Sequence, residues 1–117
     1  MKIISTILII ASLVGCSALI SRNVSNHSLK EINIPTAQCG MCVARLDNAL
    51  NGVDGILKYK VELGNLKVKV KYDNNKISLQ QIEQIISKSG YQANDVSADP
   101  EAYKKLDMCC RLPKDRK

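Results

Sequence analysis

The sequence contains no tryptophan and no phenylalanine, and its four tyrosines are scattered along the chain. Without aromatic rings interleaved among basic residues there is no platform on which nucleobases would stack. The formal charge of +6 is therefore read as a mild basic bias. It suits an anionic membrane surface or an acidic partner, and nucleic acid is not an expected partner. Histidine is almost absent as well: His27 is the only one. It lies in a polar stretch, as a solvated residue rather than a ligand. No Ser/His/Asp set and no carboxylate pair stands out, so the chain is not expected to be an enzyme.

Long hydrophobic runs are scarce as well. The apolar stretch "IISTILIIASLV" after Lys2 is borderline against the roughly 20 residues that a membrane-spanning helix needs, an uncleaved span running to about Ile20 being the alternative to a cleaved signal. A charged start, a short apolar core and small residues at the break describe a secretory signal over residues 1–15. The tetrapeptide Leu13-Val14-Gly15-Cys16 resembles the bacterial lipoprotein cleavage box, which makes Cys16 the lipid-bearing first residue of the mature chain. This predicts a location at the bacterial cell envelope, with lipid on Cys16 in the membrane and the domain facing periplasm or exterior. Residues 16–28, rich in Ser and Asn and without periodicity, read as a flexible tether.

What is present after that is strongly patterned. The folded region is expected over residues 29–97. Ile32 and Ile34 alternate with polar neighbours up to Pro35, as in a short strand. Val43, Leu46, Leu50 and Val53 recur at helical spacing, with Gly52 and Gly55 marking the end. A hairpin follows, turning at Gly64-Asn65. Leu57, Tyr59, Val61 and Leu63 share one face with Leu66, Val68, Val70 and Tyr72, and the other face is wet. Counting outward from the turn, Glu62 faces Lys67, Lys60 faces Lys69 and Lys58 faces Lys71. The like-charge pairs are mildly unfavourable and fit a solvated face guarded against aggregation. A second helix has capping-box spacing at Ser78 and Gln81, an apolar stripe of Leu79, Ile82, Ile85 and Ile86, and Gly90 as its stop. "YQANDV" reads as a closing strand. The order β-α-β-β-α-β predicts an α+β, ferredoxin-like antiparallel sheet with both helices on one face. So small a core is only marginally stable, and a bound metal or a disulfide would add materially to it.

Cysteine is the residue in excess, with five in the chain. Setting Cys16 aside for lipid leaves Cys39, Cys42, Cys109 and Cys110. Cys39 and Cys42 form a C-x-x-C pair at a strand-to-helix loop, which can aim both sulfurs at one point. The helix start favours thiolate, and thiolates are soft ligands for Cu(I), Zn(II) and other thiophilic metals. The same physics serves a dithiol/disulfide redox couple, so the pair alone does not choose between the two. A thioredoxin-like enzyme needs a larger fold and usually has an aromatic residue before the motif and a cis-proline opposite it. Gln38 occupies the first position, and Pro35, Pro100 and Pro113 offer no evident candidate for the second.

The segment Ile32–Ala93 resembles the heavy-metal-associated domain family. The resemblance rests on "CGMCVARLDNALNGVDGI", on the alternating hairpin, and on "ISLQQIEQIISKSGYQA". The family includes copper chaperones, amino-terminal domains of copper-transporting ATPases and periplasmic mercury-binding proteins. It implies a metal site at Cys39 and Cys42, with Cu(I) as the expected ion and Zn(II) or Hg(II) as alternatives. It also implies scavenging, buffering or transfer of metal by stepwise thiolate exchange, with a metal-transporting ATPase or another metal-handling protein as partner. Tyr91 stands where the family often has a residue covering the metal, or else caps the core. Thr36 and Ala37 replace the Gly-Met that the family usually carries before its first cysteine. This bears on loop rigidity more than on metal binding, because that methionine packs beneath the loop.

Residues 98–117 lie outside the resemblance. Asp99-Pro100 has the form of an N-cap followed by proline at the first helical position. "PEAYKKL" then makes a short helix with Tyr103 and Leu106 on one face. Adjacent cysteines bond poorly to each other, so Cys109 and Cys110 are expected to find other partners. A short helix plus a few extended residues spans roughly 20–25 Å, enough to climb back along the sheet. The extension is therefore predicted to bring Cys109, Cys110 or both to the Cys39–Cys42 loop as further ligands.

Overall fold

The computed structural model describes residues 26–116. The signal segment, Cys16 and most of the tether lie outside them. Among the described residues no helix is long and apolar enough to cross a membrane.

Strands β1 (His27–Asn33), β2 (Ile56–Glu62) and β3 (Lys67–Asp73) form one antiparallel sheet in the order β1-β3-β2. Helices α1 (Gly40–Leu50) and α2 (Leu79–Lys88) bury their apolar stripes against it, and α3 (Pro100–Lys104) follows. The architecture is the expected ferredoxin-like α+β fold. Its core joins Ile32, Val68, Val70 and Tyr72 from the sheet to Leu46 and Leu50 of α1 and to Ile82 and Ile86 of α2. Cys42 belongs to the same buried stripe, one turn before Leu46.

Four local features differ from the sequence reading. β1 starts at His27 rather than near Leu29, because Asn74 ties the chain down. Its backbone and side-chain N–H groups both donate to the Asn26 carbonyl, at 2.7 and 2.6 Å. His27 is thus a strand residue, paired with Asp73. In the hairpin, Glu62, Lys60 and Lys58 face Lys67, Lys69 and Lys71 as expected, but a register shift between Ile56 and Lys58 puts Ile56 opposite Tyr72. Leu57 falls in that irregularity and is exposed, because a bulged residue is displaced from the strict alternation. At the turn, the left-handed conformation falls on Leu66 (φ 51°) rather than on Gly64 or Asn65, so the turn closes on an αL residue instead of the primed two-residue form.

The fourth difference concerns "YQANDV", which is reduced to a bridge between Ala93 and Val96. Asn94, at φ 50°, does the edge pairing alone. Its N–H donates to the Asn33 carbonyl and its side-chain oxygen accepts from the Asn33 N–H, both at 2.8 Å. The chain then leaves the sheet for α2: the Asp99 N–H and the Ser87 hydroxyl donate to the Ser87 and Ser97 carbonyls respectively.

α2 has both halves of its capping box, with Ser78 and Gln81 each accepting from the other's backbone. It stops in a Schellman arrangement, in which Gly90 donates to Ser87 and Tyr91 to Ile86. Gly90, at φ 103°, has no room for a side chain: an added Cβ would lie 3.0 Å from Leu106 and 3.2 Å from the Ala102 carbonyl. The tight helix stop is thus the seat of the C-terminal extension.

Candidate metal centre

β1 leads into a loop that ends at Cys39, the N-cap residue of α1. The loop is anchored without the family's Gly-Met. Thr36 Oγ1 accepts from the Gln92 N–H at 3.0 Å, its carbonyl accepts from the Gln38 side chain, and Ala37 is buried. α1 has no side-chain cap and no acid in its first turn, so its positive end is left to the sulfurs. The Gln38 N–H donates to Cys42 Sγ at 3.3 Å.

The extension climbs back as expected, held by several contacts. Leu106 packs over Gly90. Arg45 pairs with Asp107 at 3.1 Å. Arg111 donates to the Leu106 and Lys104 carbonyls, while the Tyr103 hydroxyl donates to Asp115 and accepts from the Leu112 N–H. Single-turn 3₁₀ segments at Met108–Cys110 and Pro113–Asp115 complete it.

These constraints bring the predicted thiols together. Cys39 Sγ lies 3.9 Å from Cys42, 3.5 Å from Cys109 and 3.9 Å from Cys110. The Sγ atoms of Cys39, Cys42 and Cys110 are all within 4.8 Å of one another. Cys109 is 4.0 Å from Cys110 and 3.5 Å from the Met41 Sδ. Cys42 and Cys110 are buried, Cys39 is half-buried and Cys109 is exposed.

Tyr91 is fully buried, with its hydroxyl against Cys42 and Cys110. That hydroxyl has no well-formed hydrogen bond. An unpaired buried O–H is costly, and a thiolate at either neighbour would accept from it. The tyrosine therefore both packs the core and abuts the sulfurs, from the position expected of it.

The thiols are electrostatically unequal. Hydrogen bonding from Cys109, then from the backbone N–H groups of Cys42 and Met41, lowers the Cys39 pKa to about 7 against the opposing effect of burial. Burial first, then the neighbouring Cys42, pushes Cys110 up to about 12. Cys109 is raised, chiefly because its proton is shared with Cys39. Burial first, then Cys42 and Cys110, raises Tyr91. The cluster thus sets a readily ionised Cys39 beside Cys109 and Cys110, which hold their protons more firmly.

Three features escaped the sequence reading. Met41 is exposed, yet its sulfur borders Cys109. Arg45 clamps the extension through Asp107. Gln38, read only as a non-aromatic residue, supplies a backbone donor to Cys42. The first two leave no local signal, since they depend on the return of the chain from 60 to 70 residues away; the third is a backbone donor four residues from its acceptor, which residue type does not announce.

A split β-α-β unit with clustered thiols at the start of its first helix defines a small soft-metal-binding domain. The model of the heavy-metal-associated domain matches residues 31–92; the chain belongs to that family. A "Copper chaperone CopZ" of Staphylococcus aureus (strain MRSA252) is 35% identical over 60 residues, which cover 51% of this chain and 88% of that protein. A solved "CopZ metallochaperone" superposes with a TM-score of 0.54 at 33% identity, over 56% of this chain and 98% of its own. The Cu(I)-loaded N-terminal domain of a potential copper-translocating P-type ATPase from Bacillus subtilis shares the fold. Its TM-score is 0.55 at 24% identity, over 58% of this chain and 85% of that one.

Proposed function

We propose that the protein binds Cu(I) as cargo between Cys39, Cys42 and Cys110, and buffers it or hands it on at a bacterial cell envelope. The observation that carries this is the trio of thiols around one point. Cys39 Sγ is 3.9 Å from both Cys42 and Cys110 and the three sulfurs lie within 4.8 Å of one another, so the point equidistant from them is at most about 2.5 Å from each, close to the length of a metal–thiolate bond. Three thiolates suit Cu(I), and the copper chaperones among the relatives support that ion over Zn(II) or Hg(II). The orphaned Tyr91 hydroxyl is accounted for once Cys42 or Cys110 becomes a thiolate.

Cys42 and Cys110 would hold the ion from below, while the half-buried Cys39 offers the sulfur that a partner's thiolate could replace first. The partner would be a metal-transporting ATPase or another metal-handling protein with a soft site of its own. Lipid on Cys16 would hold the chain to the membrane. The role is carriage, not catalysis.

Anaerobic titration of the reduced chain with Cu(I), Zn(II) and Hg(II) against competing chelators tests the reading. Tight Cu(I) binding that is lost in Cys42→Ser is expected. A reversible Cys39–Cys42 couple with reductase activity and no tight metal binding would overturn it in favour of redox chemistry.

A further inference from the structure

The sulfurs form two triangles rather than one. Cys39, Cys42 and Cys110 make the first. Cys39, Cys109 and Cys110 make the second, with edges of 3.5, 3.9 and 4.0 Å. They share the Cys39–Cys110 edge. Cys42 is buried and Cys109 exposed, so from that edge one triangle extends toward the core and the other toward solvent. The point equidistant from the sulfurs of the outer triangle lies about 2.2 Å from each, again a metal–thiolate bond length. The Met41 thioether stands 3.5 Å from Cys109 at its rim, and thioethers, like thiolates, select Cu(I).

We infer that the site is dinuclear: a second Cu(I) binds in the outer triangle of Cys39, Cys109 and Cys110 beside Met41, with Cys39 and Cys110 bridging the two ions. This rests on the reading of the inner trio as a Cu(I) site. Both ions enter as Cu(I), the thiols release their protons to solvent, and no electron moves. The resulting centre carries two net negative charges. Two features of the fold offset them: the uncapped positive end of α1, and the Arg116 guanidinium, which donates to the Cys109 carbonyl at 3.3 Å. A fourth thiol beside an already complete trio, with a soft thioether next to it, is otherwise without a task.

The test is anaerobic Cu(I) titration of the full reduced chain, followed by native mass spectrometry, in a Cys16→Ser background so that the site thiols are the only ones. Two ions per monomer are expected, with a copper–copper vector in X-ray absorption. Cys109→Ser should hold one ion, and that retained ion shows that the variant is folded. Met41→Leu should weaken only the second ion, by about 10-fold. One ion in the parent protein, two in Cys109→Ser, or a second ion seen only in dimers would overturn the dinuclear site while leaving the first ion standing. No bound ion at all would instead overturn the proposed function.

Discussion

Replacing Tyr91 with Phe should have opposite effects on the empty and the loaded protein. The hydroxyl is fully buried and poorly satisfied while its neighbours are thiols, a state that costs about 1–3 kcal/mol. Deleting one oxygen leaves a void smaller than a water molecule, costing a few tenths of a kcal/mol at about 24 cal/mol per Å³. The reduced, metal-free Tyr91→Phe chain should therefore be more stable by about 1 kcal/mol, a rise of roughly 4–8 °C in Tm for a domain of this size. In the loaded state the hydroxyl donates to a thiolate, and a hydrogen bond to a charged group is worth about 1.5–3 kcal/mol. Losing it, while gaining stability in the empty state, should weaken Cu(I) binding by the sum of the two, about 2.5–4 kcal/mol, or roughly 10²–10³-fold in Kd. Denaturant unfolding of the empty protein and chelator competition for Cu(I) measure the two halves. A destabilised empty variant with unchanged affinity would refute the reasoning, since it would make Tyr91 a packing residue only.

Other perturbations probe the supports of the site. Gly90→Ala should cost about 1–3 kcal/mol, the range for a strained backbone, because φ is 103° and the new methyl meets Leu106; thermal unfolding reads this, and Cys110 should become easier to alkylate. In the reduced, metal-free chain, iodoacetamide should modify Cys39 with a midpoint near pH 7, since its pKa is lowered to about 7 and the reactive thiolate persists above that value and is lost below it. Cys110, pushed up to about 12, should resist throughout; equal midpoints by peptide mass spectrometry would contradict the hydrogen-bond assignment. Leu66→Gly should raise stability by about 0.5–1 kcal/mol, because relief of an αL leucine outweighs the entropy a glycine adds to the unfolded chain; a lower denaturation midpoint would show that the leucine packs more than its exposure suggests.

How far the sequence carried depended on the range of each interaction. Helices α1 and α2 and the β2–β3 register were legible because their signals are local: the Leu46–Leu50 stripe, the Ser78–Gln81 box, and strict alternation about one turn. The bulge at Leu57 and the left-handed Leu66 were not, since both arise where strand twist and turn geometry have to be reconciled. The closing strand failed because Asn94 can take over pairing from a backbone ladder, which composition does not announce. Within the site, Cys39 and Cys42 were legible from spacing, and the approach of Cys109 and Cys110 from reach. The unequal acidities were not, because they depend on which sulfur ends beside which donor once the extension has docked.

β1 enters the sheet at His27, where Asn74 ties the chain to Asn26, and hands over to the cysteine loop at its other end. Seven strand residues at about 3.3 Å each separate the two by roughly 20 Å. The point of chain entry and the sulfurs are thus opposite poles of the domain. Anything gripping the protein upstream of Asn26 would hold it by its base, with the sulfurs at the top, unobstructed by the grip. Holding and delivery would then not compete for the same surface.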